Sequence, residues 1–373
     1  MMRHALDIQH YTSTQTFAQE QQKLFGSLWL FAGFTSMVAQ RNQFFTRQLT
    51  GIPVLVQRTA AGIRAFINQC PHRKSAIQTA PEGVRPLVCP YHAWTFGAEG
   101  ELRSTPNPAL YQFSDVEKSE LCLDKLQIQL VGQFIFVNFS NEPLPLSEQF
   151  SEDYLAQLET VSGHLDSQIV YSCHRVRYNW KLNMENVKDY NHVPFIHPKT
   201  FLPLLKSPPA TPPVALPSVV EQLRTAQPPR LSALSYFGRG TLNRPASWFA
   251  KGCETYGEGA FYYSWYLYPN VNFCSVQGEH FLLQQYDPVA PGETDYHLWM
   301  MTAKRKDIAA DFTALLSGLI RGERRVIAED TQVLEKMQTG FGGRSARVTH
   351  GDYESMLVAQ HLWYRANVLG EAL

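Results

Sequence analysis

The sequence predicts an α+β chain of two domains, a small all-β domain followed by a larger one built from helices and an antiparallel sheet. The length of 373 residues is enough for two cores. Strand-like texture with period two and turn residues fills the stretch from about residue 44 to 139. Later, AFYYSWYLYPNVNF, EHFLLQQYDP and YHLWMMTAKR read as long antiparallel strands, and ERRVIAEDTQVLEKMQTGF follows with a helical period.

In chain order, Phe17, Leu24, Phe25 and Leu28 form a helical stripe between Ser13 and Trp29. Residues 1–38 are therefore read as a helical segment packing on the larger domain. IPVLVQ, the turn Ala60-Ala61-Gly62 and IRAFIN make a hairpin, and Gln133-FIFVNF closes the β domain, residues 39–146. Residues 147–373 form the larger domain. Within it, Ser207-PPATPPVALP and Pro228-Pro229 cannot be regular helix or central strand. They read either as a surface connection or as a loop over a site mouth. Phe261, Tyr263, Trp265 and Tyr268 read as sheet faces rather than a ligand cage. Gly340-Phe-Gly-Gly reads as a helix stop.

Composition excludes several function classes. Thirty-three basic residues balance 33 acidic ones, so there is no basic footprint for nucleic acid or an anionic membrane. No run of eighteen apolar residues occurs, and MMRHA lacks a secretory apolar core, so a cytoplasmic protein is expected. Six cysteines in a chain of this size do not make a disulfide scaffold. Cys122, Cys173, Cys253 and Cys274 are scattered and read as small buried hydrophobes.

The other two cysteines carry the strongest signal. Cys70-Pro-His72 is followed, after sixteen residues, by Cys89-Pro-Tyr-His92. Two thiolates and two imidazoles in mixed pairs suit a cluster with two chemically different irons. A Rieske [2Fe–2S] centre holds one iron by two cysteines and the other by two histidines, which raises its potential above that of an all-cysteine ferredoxin. The spacing is also compatible with a Cys2His2 zinc site, although zinc fingers present CxxC and HxxxH pairs.

NQCPHRKSAIQTAPEGVRPLVCPYHAWTF resembles the Rieske domain of the large catalytic subunit of ring-hydroxylating oxygenases. NWKLNMENVKDYNHVPFIHP is similar to the mononuclear-iron motif of the same family, with Asp189, His192 and His197 in its D-x-x-H-x-x-x-x-H pattern. The resemblance implies a helix-grip (START-like) catalytic domain over 147–373 and a Rieske domain over 39–146. It implies a [2Fe–2S] cluster held by Cys70, His72, Cys89 and His92, sheltered by Arg73 and Trp94. It also implies a mononuclear Fe(II) held by His192 and His197. Asp189 would then bridge His92 of one chain and His192 of a neighbour in a homotrimer, with or without a small β subunit.

Asp189 and His192, three apart, would share a helix face. Pro194 would break that helix and let His197 swing back to a common metal. A carboxylate must complete two histidines and one carboxylate, the triad that leaves positions open for oxygen. In the late helix Val326, Val333, Leu334 and Met337 form one stripe with Asp330 on it, and a carboxylate facing a core is costly unless paired or metal-bound. The resemblance points to the same Asp330, because the third ligand commonly sits in an E-D pair followed by Gln, here Gln338. Glu329, about 100° away, is the weaker choice. Glu185, Asn186, His174, His280, His297, His350 and His361 receive no role.

No GxGxxG follows a strand and no plant-type ferredoxin motif is present. The resemblance therefore implies electrons from a separate NAD(P)H-dependent flavin and iron–sulfur reductase, directly or through a ferredoxin. The expected function is a terminal oxygenase adding oxygen from O2 to a small organic substrate, an aromatic acid in the leading reading. The alternatives are a monooxygenase demethylating or hydroxylating a quaternary ammonium compound, and a non-catalytic Rieske electron carrier. A zinc-binding interaction module is more distant.

Overall fold

A computed structural model of the chain describes residues 5–207, 217–225, 227–342 and 347–371. The chain divides into two compact units, Gly26–Leu144 and Met1–Phe25 together with Pro145–Leu373. The division falls at Gly26 and Pro145, where the sequence placed boundaries at 39 and 147.

Unit Gly26–Leu144 is all-antiparallel. Its strands are β1 (Leu30–Phe34), β2 (Gln43–Leu49), β3 (Ile52–Thr59), β4 (Gly62–Ile67), β5 (Glu82–Val84), β6 (Thr95–Phe96), β7 (Leu102–Ser104), β8 (Lys125–Val131) and β9 (Phe134–Asn138). Seven of them form one sheet in the order β1-β9-β8-β4-β3-β2-β5, and β6 pairs with β7. The hairpin β3–β4 turns through Ala60 and Ala61 into Gly62 at φ +103°. All five residues of β1 and of β9 are buried, which explains their unbroken apolar runs. The two ends of this unit are tied together, because Trp29 Nε1 donates to Leu144 O at 2.7 Å.

The second unit holds β10 (Leu165–Val176), β11 (Tyr236–Thr241), β12 (Cys253–Glu254), β13 (Phe261–Leu267), β14 (Val271–Val276), β15 (His280–Ala290) and β16 (Glu293–Arg305). The sheet order is β10-β16-β15-β14-β13-β11, with β12 on β16. The run AFYYSWYLYPNVNF is two strands, with Pro269 and Asn270 in the turn between β13 and β14. Pairing of Tyr262 with Val276 and of Val276 with His280 puts these three on one sheet face. The opposite face packs Tyr263 against Trp265 (6.0 Å), Trp265 against Phe273 (5.1 Å) and Phe273 against Phe281 (5.7 Å), so Tyr263 and Trp265 do belong to a packed sheet face.

The helix Thr313–Gly340 is 28 residues long and stops where the sequence expected. Its buried stripe is Leu316, Ile320, Ile327 and Leu334. The expected stripe was rotated: Val326 and Val333 are half-buried and Met337 is 42 % exposed. The face that carries Val326 and Asp330 lines a cavity rather than a packed core, so its apolar residues mimic a stripe without full burial.

The N-terminal segment is anchored within this unit. Glu20, at 1 % exposure, forms an ion pair with Lys181 and accepts from Tyr364 Oη (2.6 Å) and Trp180 Nε1 (3.1 Å). Cys253 and Cys274 are buried as expected, but Cys122 is half-exposed and Cys173 exposed. Cys173 sits on the sheet's edge strand β10, where alternate side chains face out. Residues 208–216 of the proline-dense stretch lie outside the described residues. Among the described residues no helix is long and apolar enough to cross a membrane.

Candidate active site

In the β unit, Cys70 and Cys89 open two loops of the same shape. Cys70 N donates to Ser75 O (2.8 Å) and Lys74 N to Cys70 O (2.9 Å); Cys89 N donates to Trp94 O (2.9 Å) and Ala93 N to Cys89 O (2.9 Å). Each loop closes through a non-glycine residue with positive φ, Lys74 at 59° and Ala93 at 53°. Such residues are uncommon outside glycine and persist only where surrounding bonds fix them. The two cysteines are 2 % exposed and close enough to act on each other electrostatically. Burial pushes the Cys70 thiol up to about 11. The imidazoles sit further out, with His72 stacked on Trp94 (4.6 Å, 6°) and edge-on to His92 (4.7 Å). His72 Nδ1 is buried and has no hydrogen-bond partner.

In the other unit the helix Trp180–Asn186 ends before Asp189. Asp189 and His192 therefore do not share a helix face. They lie in a turn in which Asn191 N donates to Asp189 Oδ1 at 2.7 Å. Pro194 is not the breaker either. It sits in the first turn of a new short helix, Val193–Ile196, where its missing N–H has no role. His192 and His197 flank that single turn, with ring centroids 5.2 Å apart.

Both rings aim Nε2 at Asp330 Oδ1, His197 at 2.9 Å and His192 at 3.6 Å. One ligand atom from each of His192, His197 and Asp330 lies within 4.8 Å of the others. The other nitrogen of His197, Nδ1, is 2.7 Å from Glu329 Oε2, which also accepts from Thr200 Oγ1 at 2.6 Å. Burial lowers the basicity of His197, and the Asp330 and Glu329 carboxylates outweigh it, so the ring titrates above its ordinary value. The outer Nδ1 of His192 is buried without a hydrogen-bond partner, and Asp189 Oδ2 stands 3.8 Å from it. That separation is longer than a hydrogen bond.

The turn that carries Asp189 rests on buried polar groups. Glu185 accepts from Tyr11 Oη (2.7 Å) and faces His361 Nε2 (3.0 Å). Lys188 donates to Gln360 (2.7 Å), and burial pushes its amine down to about 7. Tyr266 Oη donates to Val187 O at 3.0 Å. His192, His197 and Asp330 open onto a cavity of 250 Å³, walled by the long helix and by the sheet face that carries Tyr262, Cys274 and His280.

Comparison with known proteins gives the family of the chain. A family profile described as "Ring hydroxylating alpha subunit (catalytic domain)" matches residues 160–370, and one described as "Rieske [2Fe-2S] domain" matches residues 28–118. The chain belongs to the ring-hydroxylating alpha subunit family. The glycine betaine monooxygenase oxygenase subunit of Pseudomonas aeruginosa is 32% identical over 202 residues, 52% of this chain and 45% of that protein. The chloroplastic choline monooxygenase of Beta vulgaris is 29% identical over 194 residues, 50% of this chain and 43% of that one. The match thus spans less than half the length of these curated relatives. The fold is shared with a solved quaternary ammonium Rieske monooxygenase in complex with an inhibitor, at TM-score 0.76 and 20% identity, covering 97% of this chain and 95% of that one.

The donor sets fit the cofactors of this Rieske alpha subunit family. Two buried thiols with two less buried imidazoles, one carrying an orphaned Nδ1, suit a [2Fe–2S] centre. Two imidazoles and one carboxylate converging at a cavity suit a mononuclear iron with open positions.

Sequence reasoning missed several members of the site. Glu329 was weighed only as a rival to Asp330, yet the adjacent carboxylates serve the two nitrogens of one imidazole. The adjacency was a usable signal, since neighbours on a helix diverge by about 100°. Tyr262, Arg244 and Glu323 also line the cavity. Tyr262 alternates with the aromatics that were singled out, and strand parity alone does not say which face is hollow.

Proposed function

We propose that this chain is the terminal oxygenase component of a Rieske system acting on a quaternary ammonium compound. The observation that carries the reading is the convergence of His192, His197 and Asp330 at the wall of a 250 Å³ cavity. A non-catalytic electron carrier has no use for three converging ligands beside a substrate-sized space. In this reading Cys70, His72, Cys89 and His92 hold the [2Fe–2S] cluster, and His192, His197 and Asp330 hold the Fe(II). The bound iron would supply oxygen activation. The protein's own part is to orient the imidazoles, with Glu329 fixing His197 through its outer nitrogen.

Asp189 is assigned the link between His92 of one copy and His192 of the next in a homotrimer. Its carboxylate near the unpartnered Nδ1 of His192 supports that role. Electrons would come from a separate NAD(P)H-dependent reductase.

Quaternary ammonium compounds take precedence over aromatic acids on two grounds. Relatives carry the names glycine betaine monooxygenase and choline monooxygenase. The cavity also offers an aromatic wall, Tyr190, Phe201 and Tyr262, together with the Glu323 carboxylate, a combination suited to an onium group. The test is oxygen uptake and product mass with a surrogate reductase, offering glycine betaine, choline and benzoate. Loss of a methyl group as formaldehyde, or oxidation of the choline alcohol, supports the reading. Turnover of benzoate alone restores the aromatic-acid reading.

A further inference from the structure

Two charged side chains of opposite sign face the cavity away from the three converging ligands. Glu323 lies seven residues before Asp330 on the long helix, two turns and about 10 Å along its axis. Arg244 lies in the segment between β11 and β12 and lines the same space. Tyr262 and Phe201, with rings 5.3 Å apart, belong to the same wall, and Phe201 is 6.4 Å from the ring of His197. The helix leaves this part of the cavity open. Gly318 and Gly322 line it, and a Cβ at either would meet nothing within 4 Å. Glycine inside a helix costs about 1 kcal/mol relative to alanine, so two of them one turn apart mark a position where room outweighs helix stability.

Among the described residues neither side chain is paired with an opposite charge. Among the described residues Glu323 has no ion-pair or hydrogen-bond partner. Arg244 donates to Ser247 Oγ at 2.7 Å and, among the described residues, forms no ion pair with a carboxylate. Arg244 is near enough to Glu323 to act on it electrostatically without touching it. Half-buried charges without partners are unfavourable, and an occupant with complementary charges removes the penalty at both. A plain cation would satisfy Glu323 and leave Arg244 bare; an anion would do the reverse.

We propose that Glu323 and Arg244 read the two ends of a zwitterion, so that the cavity selects a small ammonium carboxylate over the corresponding cation or anion. Glu323 takes the onium together with the aromatic wall, and Arg244 takes the carboxylate through its guanidinium fork. This rests on the quaternary ammonium reading above and narrows it.

The test is calorimetric binding to the iron-loaded full-length protein with three probes of similar size. Glycine betaine carries both charges, choline only the cation, and 3,3-dimethylbutanoate only the anion. The unmodified protein is expected to bind glycine betaine at least about tenfold tighter than either other probe, the scale of one charged hydrogen-bonded pair. Arg244→Gln should erase the preference over choline, and Arg244→Lys should restore part of it. Glu323→Gln should erase the preference over 3,3-dimethylbutanoate and leave the glycine betaine to choline ratio in place. Melting curves identify folded variants.

No preference in the unmodified protein, no binding of any probe, or ratios unmoved in folded variants would overturn the proposal. Oxygen uptake with a reductase separates it from the catalytic reading. Charge-dependent binding without turnover supports the zwitterion site and sinks the catalytic reading. Turnover of quaternary ammonium compounds with unmoved ratios sinks the zwitterion site alone.

Discussion

The Glu329 carboxylate lies 2.7 Å from Nδ1 of His197, on the side of the ring opposite Asp330. A carboxylate there fixes the tautomer and the plane of a ligating imidazole, and removing such a partner typically lowers metal affinity about 10- to 100-fold. Glu329→Gln is therefore expected to keep the fold and lose the mononuclear iron to a chelator at correspondingly lower concentration. Asp330→Ala should lose that iron outright while the red-brown chromophore of the cluster remains. Iron analysis after graded chelation checks both. Unchanged retention in Glu329→Gln would show that the Glu329 charge is not needed to orient His197.

Asp189 tests assembly and electron flow together. Asp189→Asn preserves shape and removes the charge beside His192 Nδ1. Cluster reduction and iron content should stay near normal, while product formed in a single turnover collapses. An unchanged single-turnover yield would mean that electrons take another route. Sedimentation of the unmodified protein should give a trimer of the chain.

Away from the metal-ligand histidines, the pH response of the cavity should come from Glu323. Burial pushes the Glu323 carboxyl up to about 7, against a smaller opposing effect of Arg244. The neighbours keep their charge state between pH 6 and 8. Cys274 is pushed up to about 12, Tyr262 well above its ordinary value, and His280 down to about 3, all by burial. Onium binding should therefore strengthen as pH rises from 6 to 8, and Glu323→Gln should flatten that slope. Stability runs the other way. Between about 4.5 and 7 the folded carboxyl holds more proton than the unfolded one, so it costs stability as pH rises through that window. The melting temperature of Glu323→Gln should gain on the unmodified protein from pH 5 to pH 8.

Gly322 offers a trade between stability and room. Gly322→Ala removes a helix-interior glycine and should raise stability by up to about 1 kcal/mol. Gly322→Leu should keep the fold and fill the cavity, raising the dissociation constant for glycine betaine without loosening the mononuclear iron. A leucine variant that binds as well as the unmodified protein would show that the substrate sits elsewhere.

The fold class, the strand runs and most of the site were legible in the sequence because each rests on local pattern. The paired Cys/His loops follow from ligand type and spacing, and the hairpin at Ala60-Ala61-Gly62 from turn chemistry. Errors arose where the chain departs from one regular element. Asp189 and His192 looked like one helix face, but the helix ends at Asn186 and an Asx turn takes over. Pro194 looked like a breaker because helix interiors reject proline, yet it stands where a helix begins. The stripe on the long helix was rotated because a hollow and a core both attract apolar side chains. Glu323 and Arg244 stayed hidden because they meet only across a cavity, and no spacing along the chain announces that meeting.

The tie between Trp29 and Leu144 gives residues 26–144 the topology of a cassette. A stretch whose two ends already lie side by side can be copied out of a gene as one fragment, or dropped into another loop, without stretching its sheet. Expressed alone, it should fold with both termini at one corner and tolerate circular permutation there. Exchange of this fragment between relatives then becomes a matter of two cuts. Its redox properties can be retuned by transplantation while the substrate-facing helix and sheet are left untouched.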